Sequence, residues 1–322
     1  MADRISPAGP VTIVGAGSIG MAWAIVFARA GFVVRVHDTE PDRLTDTAGR
    51  IAERLADMAA WDLLNEPDTA IAARIHPTVD LAESLHGAVY VQECVPEDRA
   101  LKRCVFAKLD QLAPSNAILA SSSSAIPISQ LTAEIEGKDR CLTVHPGNPP
   151  YLIPIAEIVP GPFTAQTCMD AAQTLLEAAG MTPIRVAREI EGFVFNRLQG
   201  ALLREAYCLV RDGIAAVDDI DTVVRDGLGP RWSIIGPFET ADLNTRGGIA
   251  AHAALLGPAY ARMGAERGQR DPWTNDLVEQ VTNSRRRQLP LDQWAERVAW
   301  RDRELMALAS FRRNRTGGDT DG

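Results

Sequence analysis

His145 ends the apolar run Cys141-Leu-Thr-Val144, and Glu157 sits inside a second one, Ile153-Pro-Ile-Ala-Glu-Ile-Val159. A carboxylate in an apolar strand is costly unless it has a partner. Two adjacent antiparallel strands joined through residues 148–152 would bring Glu157 beside His145. A carboxylate on one imidazole nitrogen fixes the tautomer and leaves the other nitrogen as a general acid/base. A purely structural His–Glu hydrogen bond is the alternative reading of the same pair.

A second chemistry is written in Gly15-Ala-Gly17-Ser18-Ile19-Gly20, which follows the strand-like run Val11–Val14 and opens a helical pattern. Each glycine has a mechanical purpose: a tight turn, close approach of a pyrophosphate to the backbone, and close helix–strand packing. The helix N-terminus offers free N–H groups to phosphates. Asp38 ends the next strand-like run, 18 residues after Gly20, where a carboxylate can accept both ribose hydroxyls. Asp38 would repel a 2′-phosphate, so the expected cofactor is NAD. Arg35 alternates with Asp38 along the strand and is expected to point elsewhere.

Three further features place polar groups near these. Ser121-Ser122-Ser123-Ser124 runs on from an apolar strand pattern, and reads either as a ligand-facing edge or as a cap for the following helix. Asn196, in Glu191-Gly-Phe-Val-Phe-Asn-Arg197, falls at a helix start and reads equally as a cap or packing residue. Asp226-Gly-Leu-Gly-Pro-Arg-Trp232 reads as a Gly-rich turn delivering Arg231 beside an aromatic. Arginine suits bidentate capture of a carboxylate, although a surface arginine is the plainer reading.

The elements that must carry these residues alternate strand and helix in the first half of the chain, as a parallel doubly wound sheet does. Strands are expected at Val11–Val14, Val33–His37, Ala88–Val91, Ala117–Ala120, Cys141–Val144, Ile155–Val159 and Thr182–Val186, with helices at Ser18–Ala30, Arg99–Leu112 and Ala165–Ala179. Pro41–Ala73 is helical with a break near Asn65-Glu-Pro67, which predicts a helical hairpin inserted into the sheet. Beyond Arg188 strand runs stop and helical patterns take over, including Phe193–Arg211 and Asp218–Gly227. The expected fold class is therefore α/β: a Rossmann-type NAD-binding domain over residues 1–188 and a smaller all-helical domain over 189–322. The tail from Arg312 to Gly322 is polar and Gly-rich, and is expected to fray.

The chain has 322 residues, 46% of them apolar, and a net charge of −9. That balance supports a buried core and argues against a nucleic-acid partner, which needs a positive field. The five cysteines lack CxxC pairing and the five histidines lack HxxxH or HExxH spacing. Reduced thiols in a cytoplasmic protein are expected, with no structural zinc and no metal chemistry. No apolar run approaches the roughly 20 residues that span a bilayer.

Taken together, the order GxGxxG, acidic strand end, serine cluster, HPxNP, internal Glu and GFxxNR resembles the 3-hydroxyacyl-CoA dehydrogenase superfamily. Gln92-Glu-Cys-Val-Pro-Glu97, His145-Pro-Gly-Asn-Pro-Pro-Tyr-Leu-Ile-Pro154, Asp226-Gly-Leu-Gly229 and Gly236-Pro-Phe-Glu-Thr240 followed by Leu243-Asn244 are similar to its λ-crystallin/L-gulonate 3-dehydrogenase branch. The resemblance implies that His145 is the acid/base and Glu157 its orienting partner. Ser124 matches the serine on the substrate oxygen, and Asn196 the asparagine near that oxygen and the nicotinamide. Glu97 matches an acidic residue lining the cofactor cleft, Ser122 a polar group on the nicotinamide side, and Asn148 the asparagine of the HPxNP turn. Ser122 replaces the Asn usual in acyl-CoA enzymes, and Arg231 stands where they lack an Arg. Gly147 replaces a bulkier residue, which is expected to enlarge the pocket or loosen the turn. The activity implied is NAD-dependent oxidation of a small 3-hydroxy acid by a homodimer. L-gulonate is the first substrate candidate, followed by L-carnitine and a medium-chain 3-hydroxyacyl-CoA. A non-catalytic NAD-binding protein like the lens crystallins is the alternative of a different class.

Overall fold

The computed structural model describes residues 9–267, apart from 234–235 and 245–247, together with scattered positions between 276 and 313. The chain divides into one unit of residues 1–196 with 299–322 and a second of residues 197–298.

The first unit is built on an eight-stranded sheet in the order β3-β2-β1-β4-β5-β6-β7-β8. Its strands are β1 (Val11–Val14), β2 (Val34–His37), β3 (Ile75–Thr78), β4 (Tyr90–Glu93), β5 (Ile118–Ser121), β6 (Cys141–Pro146), β7 (Ile155–Pro160) and β8 (Thr182–Arg185). All neighbours are parallel except β6 and β7. The chain moves outward from β1 in both directions, so a crevice opens between the C-terminal ends of β1 and β4, where doubly wound sheets bind ligands.

Successive residues of a strand face opposite sides of a sheet. Ile13 and Tyr90 accordingly enter a core with Trp23 and Phe27, while Val14 and Val91 enter another with Phe106 and Leu109. Helix α1 (Ser18–Arg29) is buried all round from Gly20 to Ala28. Helix α2 (Pro41–Ala60) buries only the stripe Leu44, Thr47, Ile51, Leu55 and Met58, the three- and four-residue spacing of one helical face. The short helices α3 (Asp68–Ala72) and α4 (Leu81–Leu85) flank β3. Asp80 caps α4 at Ala82 N and Glu83 N, and Asp98 caps α5 (Arg99–Leu112) at Leu101 N. The one-turn helix α6 (Ser129–Thr132) and the longer α7 (Gln166–Ala178) complete this unit, apart from its last chain segment, in which Met306 is buried and Arg313 pairs with Asp62 at 2.7 Å.

The described elements of the second unit are all helical. It contains most of α8 (Phe195–Arg211), then α9 (Val217–Thr222), a π-helical stretch (Val223–Leu228), α10 (Gly229–Trp232), α11 (Pro237–Asn244) and α12 (Gly248–Arg267).

Three expectations need correction. The hairpin's second arm, α3, is only 5 residues long. The strand β3 follows it; Pro77 obscured that strand, but β3 lies at the sheet edge, where a missing N–H is tolerated. Asp226–Trp232 is not a Gly-rich turn but continuous helix, with Gly229 leaving room for Val224 O, which a Cβ would approach to 2.8 Å. The expectation of a frayed tail falls almost wholly outside the described residues.

Candidate active site

The glycines of the first motif divide their work as physical reasoning requires. Gly15 has φ +108°, and a Cβ there would lie 2.7 Å from Cys94 O. A Cβ on Gly20 would collide with Gly15 O, so this residue allows α1 to sit against β1. Gly17 faces open space with nothing within 4 Å of a Cβ. It also begins α1 without any side-chain cap, so the helix's first N–H groups face that space.

Asp38 follows β2 and is buried. Its Oδ2 accepts from Ala16 N at 2.9 Å and its Oδ1 from Glu40 N at 3.1 Å, with Arg43 Nη1 3.7 Å from Oδ2. Arg35 turns away, donating to the carbonyls of Glu83, Ser84 and His86 around α4. A cavity of about 640 Å³ joins Gly15, Gly17, Ser18, Ile19 and Asp38 at one end to Glu97, Ser122 and Ser124 at the other. Gly20 is buried and lies outside its lining. Asn148 is exposed and lies outside its lining.

The serine loop is held from below. Glu97 Oε1 accepts from Ser123 Oγ at 2.5 Å, Ser124 N at 3.1 Å and Ala125 N at 3.2 Å. Burial raises the Glu97 carboxyl, but the bonds from Ser123 and Ala125 and the charge of Lys102 outweigh it and hold it below the usual carboxylate range. Lys102 Nζ, itself buried, lies 3.4 Å from Glu97 and 2.8 Å from the buried Glu93, which also accepts from Ser121 Oγ at 2.7 Å. Burial pushes the Glu93 carboxyl up against the opposing pull of Lys102.

The antiparallel register places His145 directly opposite Glu157. His145 Nδ1 and Glu157 Oε2 are 2.7 Å apart, and Glu157 Oε1 accepts from Val194 N at 2.7 Å and Phe195 N at 2.9 Å. Burial raises the Glu157 carboxyl, but the hydrogen bonds from His145, Phe195 and Val194 prevail and lower it. The result is an anion that only accepts, so His145 Nδ1 carries its proton and Nε2 is the exchangeable position. Phe193, in a left-handed conformation with φ 48°, is fully buried 5.6 Å from the His145 ring, centroid to centroid. Asn196 Nδ2 donates to Ser124 O at 3.0 Å, which joins the start of α8 to the serine loop.

The structure thus pairs His145 with Glu157 and Asn196 with Ser124, and the two pairs adjoin along the backbone at 194–196, whose Val194 and Phe195 N–H groups Glu157 accepts. Arg231 belongs to the second unit, exposed on α10. Gly147 does not enlarge a pocket: a Cβ there would meet Ile155 Cγ2 at 2.6 Å and Ile153 Cγ2 at 2.7 Å, so isoleucines already fill that volume. Sequence reasoning gave no role to Gln92, Glu93, Lys102 or Arg43, although Gln92 and Glu93 lie in a stretch similar to the family branch. The available signal was two polar residues, Gln92 and Glu93, continuing the apolar run that ended at Val91.

Residues 10–190 match the 3-hydroxyacyl-CoA dehydrogenase NAD-binding domain, and residues 192–289 match the C-terminal domain of the same family. The chain belongs to the 3-hydroxyacyl-CoA dehydrogenase family. It is 37% identical over 310 residues to lambda-crystallin of Oryctolagus cuniculus, covering 95% of this chain and 97% of that one. It is 38% identical over 268 residues to an L-carnitine dehydrogenase of Streptomyces griseus, covering 82% and 76%. Among solved structures, a 5-formyl-3-hydroxy-2-methylpyridine 4-carboxylic acid 5-dehydrogenase, an NAD+-dependent dismutase, superposes with TM-score 0.79 at 28% identity, covering 93% of this chain and 96% of that one. As a family member the chain is an NAD-dependent dehydrogenase. The open space over Gly17, the uncapped start of α1 and the carboxylate at Asp38 fit that dinucleotide. Among the described residues no His, Cys, Asp and Glu cluster could hold a metal, and no helix is long and apolar enough to cross a membrane.

Proposed function

We propose that this enzyme oxidises the 3-hydroxyl of a small 3-hydroxy carboxylic acid, with L-gulonate the leading substrate. The observation that carries the reading is the 2.7 Å His145–Glu157 pair, whose carboxylate is tied to the backbone at Val194 and Phe195. Bound NAD would supply the hydride acceptor. Gly15, Gly17, Ser18, Ile19 and Gly20 shape the pyrophosphate seat, and Asp38 takes the ribose. His145 Nε2 removes the hydroxyl proton while Glu157 stabilises the imidazolium that forms. Positioned proton transfer of this kind contributes roughly 10²–10⁴-fold. Ser124 and Asn196 hold the reacting oxygen, and Glu97 fixes the Ser124 backbone. Ser122 completes the cofactor contacts, and Arg231 is the candidate for capturing the carboxylate, a group that a thioester lacks.

A carnitine substrate is the second reading. It is supported by the similarity to an L-carnitine dehydrogenase and by the exposed rings of Trp232 and Phe238 near Arg231 in sequence, since a quaternary ammonium seeks aromatic faces. A cytoplasmic homodimer completes the proposal. Five cysteines, none in a disulfide, favour a reducing compartment, and exposed Leu198 and Leu202 on one face of α8 suit a partner surface.

The test is NADH formation with L-gulonate, L-carnitine, 3-hydroxybutyrate and a 3-hydroxyacyl-CoA, repeated with Arg231→Ala and His145→Gln. Turnover of a free acid that collapses in Arg231→Ala supports the proposal. Turnover of the CoA ester alone, indifferent to Arg231, overturns it. NADH binding with no turnover on any substrate would instead favour a crystallin-like binding protein.

A further inference from the structure

Beneath the cavity runs a buried chain of hydrogen bonds that the mechanism above does not use. Tyr90 and Gln92, both fully buried on β4, face the same side of the sheet. Tyr90 Oη lies 2.5 Å from Gln92 Oε1. Gln92 Nε2 lies 2.6 Å from Ser122 Oγ and 3.3 Å from Val144 O. Cys94 Sγ lies 3.2 Å from the same Ser122 oxygen.

The proton directions along this chain follow from what each group can do. Val144 O is a carbonyl and only accepts, so the Gln92 NH₂ must face it. Both amide hydrogens are then spent, one on Val144 O and one on Ser122 Oγ. Tyr90 therefore donates to Gln92 Oε1. Burial pushes the Cys94 thiol up to about 12, so it stays protonated at neutral pH and is able to donate to Ser122. The Ser122 oxygen accepts from Gln92, and when the Cys94 thiol also donates to it the serine's own hydrogen is left for the cavity that Ser122 lines.

The position of Ser122 says what that hydrogen would meet. Along the sheet, Asp38 follows β2, the phosphate-facing Gly17 follows β1, and Ser122 follows β5, beside the β6 strand of His145. A dinucleotide laid with one ribose at Asp38 and its pyrophosphate at Gly17 must bring its second half over β4 and β5. The ring that exchanges hydride must also end beside the base. Ser122 is thus at the nicotinamide end, where the carboxamide is the polar group of the ring.

We propose that Gln92, oriented by Tyr90, is a positioning residue that presents the Ser122 hydroxyl as a hydrogen-bond donor to the carboxamide oxygen of bound NAD. The inference rests on the NAD site described above. It adds a fixed proton direction and names the residues that set it. The same amide ties Ser122 to Val144, the residue before His145, so the donor and the base share one buried strut.

The experiment compares NAD+ with ADP-ribose, which lacks the nicotinamide ring, by equilibrium binding to the full chain. Ser122→Ala is expected to weaken NAD+ about fivefold, the scale of one neutral hydrogen bond, and to leave ADP-ribose unchanged. Gln92→Met should give the same selective loss, and the double variant no more than either single one, because Gln92 acts through Ser122. If Gln92→Met fails to fold, Gln92→Glu serves: its carboxylate would capture the Ser122 proton and should cost NAD+ alone. Equal effects of Ser122→Ala on both ligands, or none on NAD+, overturn the proposal. Additive losses in the double variant overturn the part given to Gln92. A wild-type protein that binds neither ligand would instead refute the cofactor site itself.

Discussion

Glu157→Gln isolates the arrangement on which the proposed chemistry depends. In the wild type one carboxylate serves three donors: His145 Nδ1 at 2.7 Å, Val194 N at 2.7 Å and Phe195 N at 2.9 Å. Glutamine keeps the shape but offers one acceptor oxygen and an NH₂ that only donates. If its oxygen stays on the two backbone N–H groups, the NH₂ faces His145 Nδ1. That nitrogen must then accept, the imidazole proton moves to Nε2, and the base is lost, at a cost of about 10²–10⁴-fold in kcat/KM. If the amide turns the other way, His145 keeps its tautomer but two N–H groups at the start of α8 lose their acceptor, at about 1–3 kcal/mol each. Two backbone bonds outweigh one side-chain bond, so the first arrangement should prevail. The expected outcome is a folded variant that binds NADH and scarcely turns over. Steady-state rates of NADH formation and thermal unfolding together decide the matter. A variant with both turnover and melting temperature close to wild type would show that the 2.7 Å pair has no bearing on catalysis.

Other consequences are equally direct. Gly17→Ala, at φ −76° and in open space, should fold normally but weaken NAD+ by about tenfold or more, whereas Gly20→Ala should lower the melting temperature because its Cβ meets Gly15 O. Binding titration and calorimetry separate the two, and equal stability of both variants would refute the packing argument. Gly147→Val should destabilise by about 1–3 kcal/mol, and adding Ile153→Ala should recover part of the loss, as read in denaturant midpoints. Acid should also destabilise the protein through Glu157 and Glu97, both held below their ordinary value. A depressed folded-state carboxyl contributes stability that is full above the unfolded value of about 4.3 and is lost as pH falls through the folded one. Urea midpoints should therefore fall with decreasing pH below that point, and less steeply in Glu157→Gln.

The positions of the strands were legible because chemistry sits at their ends. Val11–Val14 runs straight into Gly15, Ile118–Ser121 closes on a serine and Cys141–Pro146 on His145 and Pro146, and doubly wound sheets place ligands at that edge. The antiparallel pairing of β6 with β7 was legible from the cost of burying Glu157 alone. The edge strand β3 was not. Its sequence, Ile-His-Pro-Thr, has a proline and no fully buried position, and only the free edge of β2 makes it a strand.

The site residues that went unread share a cause, and it is the same physics that revealed Glu157. Gln92 and Glu93 complete β4, yet their polarity made the strand seem to stop at Val91. Applied evenly, the rule that a polar group in a buried strand must find partners would have extended the strand and asked for those partners. Glu93 finds Lys102, nine residues on and one turn into α5, and Gln92 finds Ser122 and Val144 O. The rule states that a partner exists but not which one, because Ser122 and Val144 approach only through the β4–β5–β6 order of the sheet. Gly147 fails in the reverse sense. A glycine in a turn was read as vacant volume, although Ile153 and Ile155 from the following segment occupy it. In both cases a residue's type reports the demand made on its surroundings, and only the fold supplies the group that meets it.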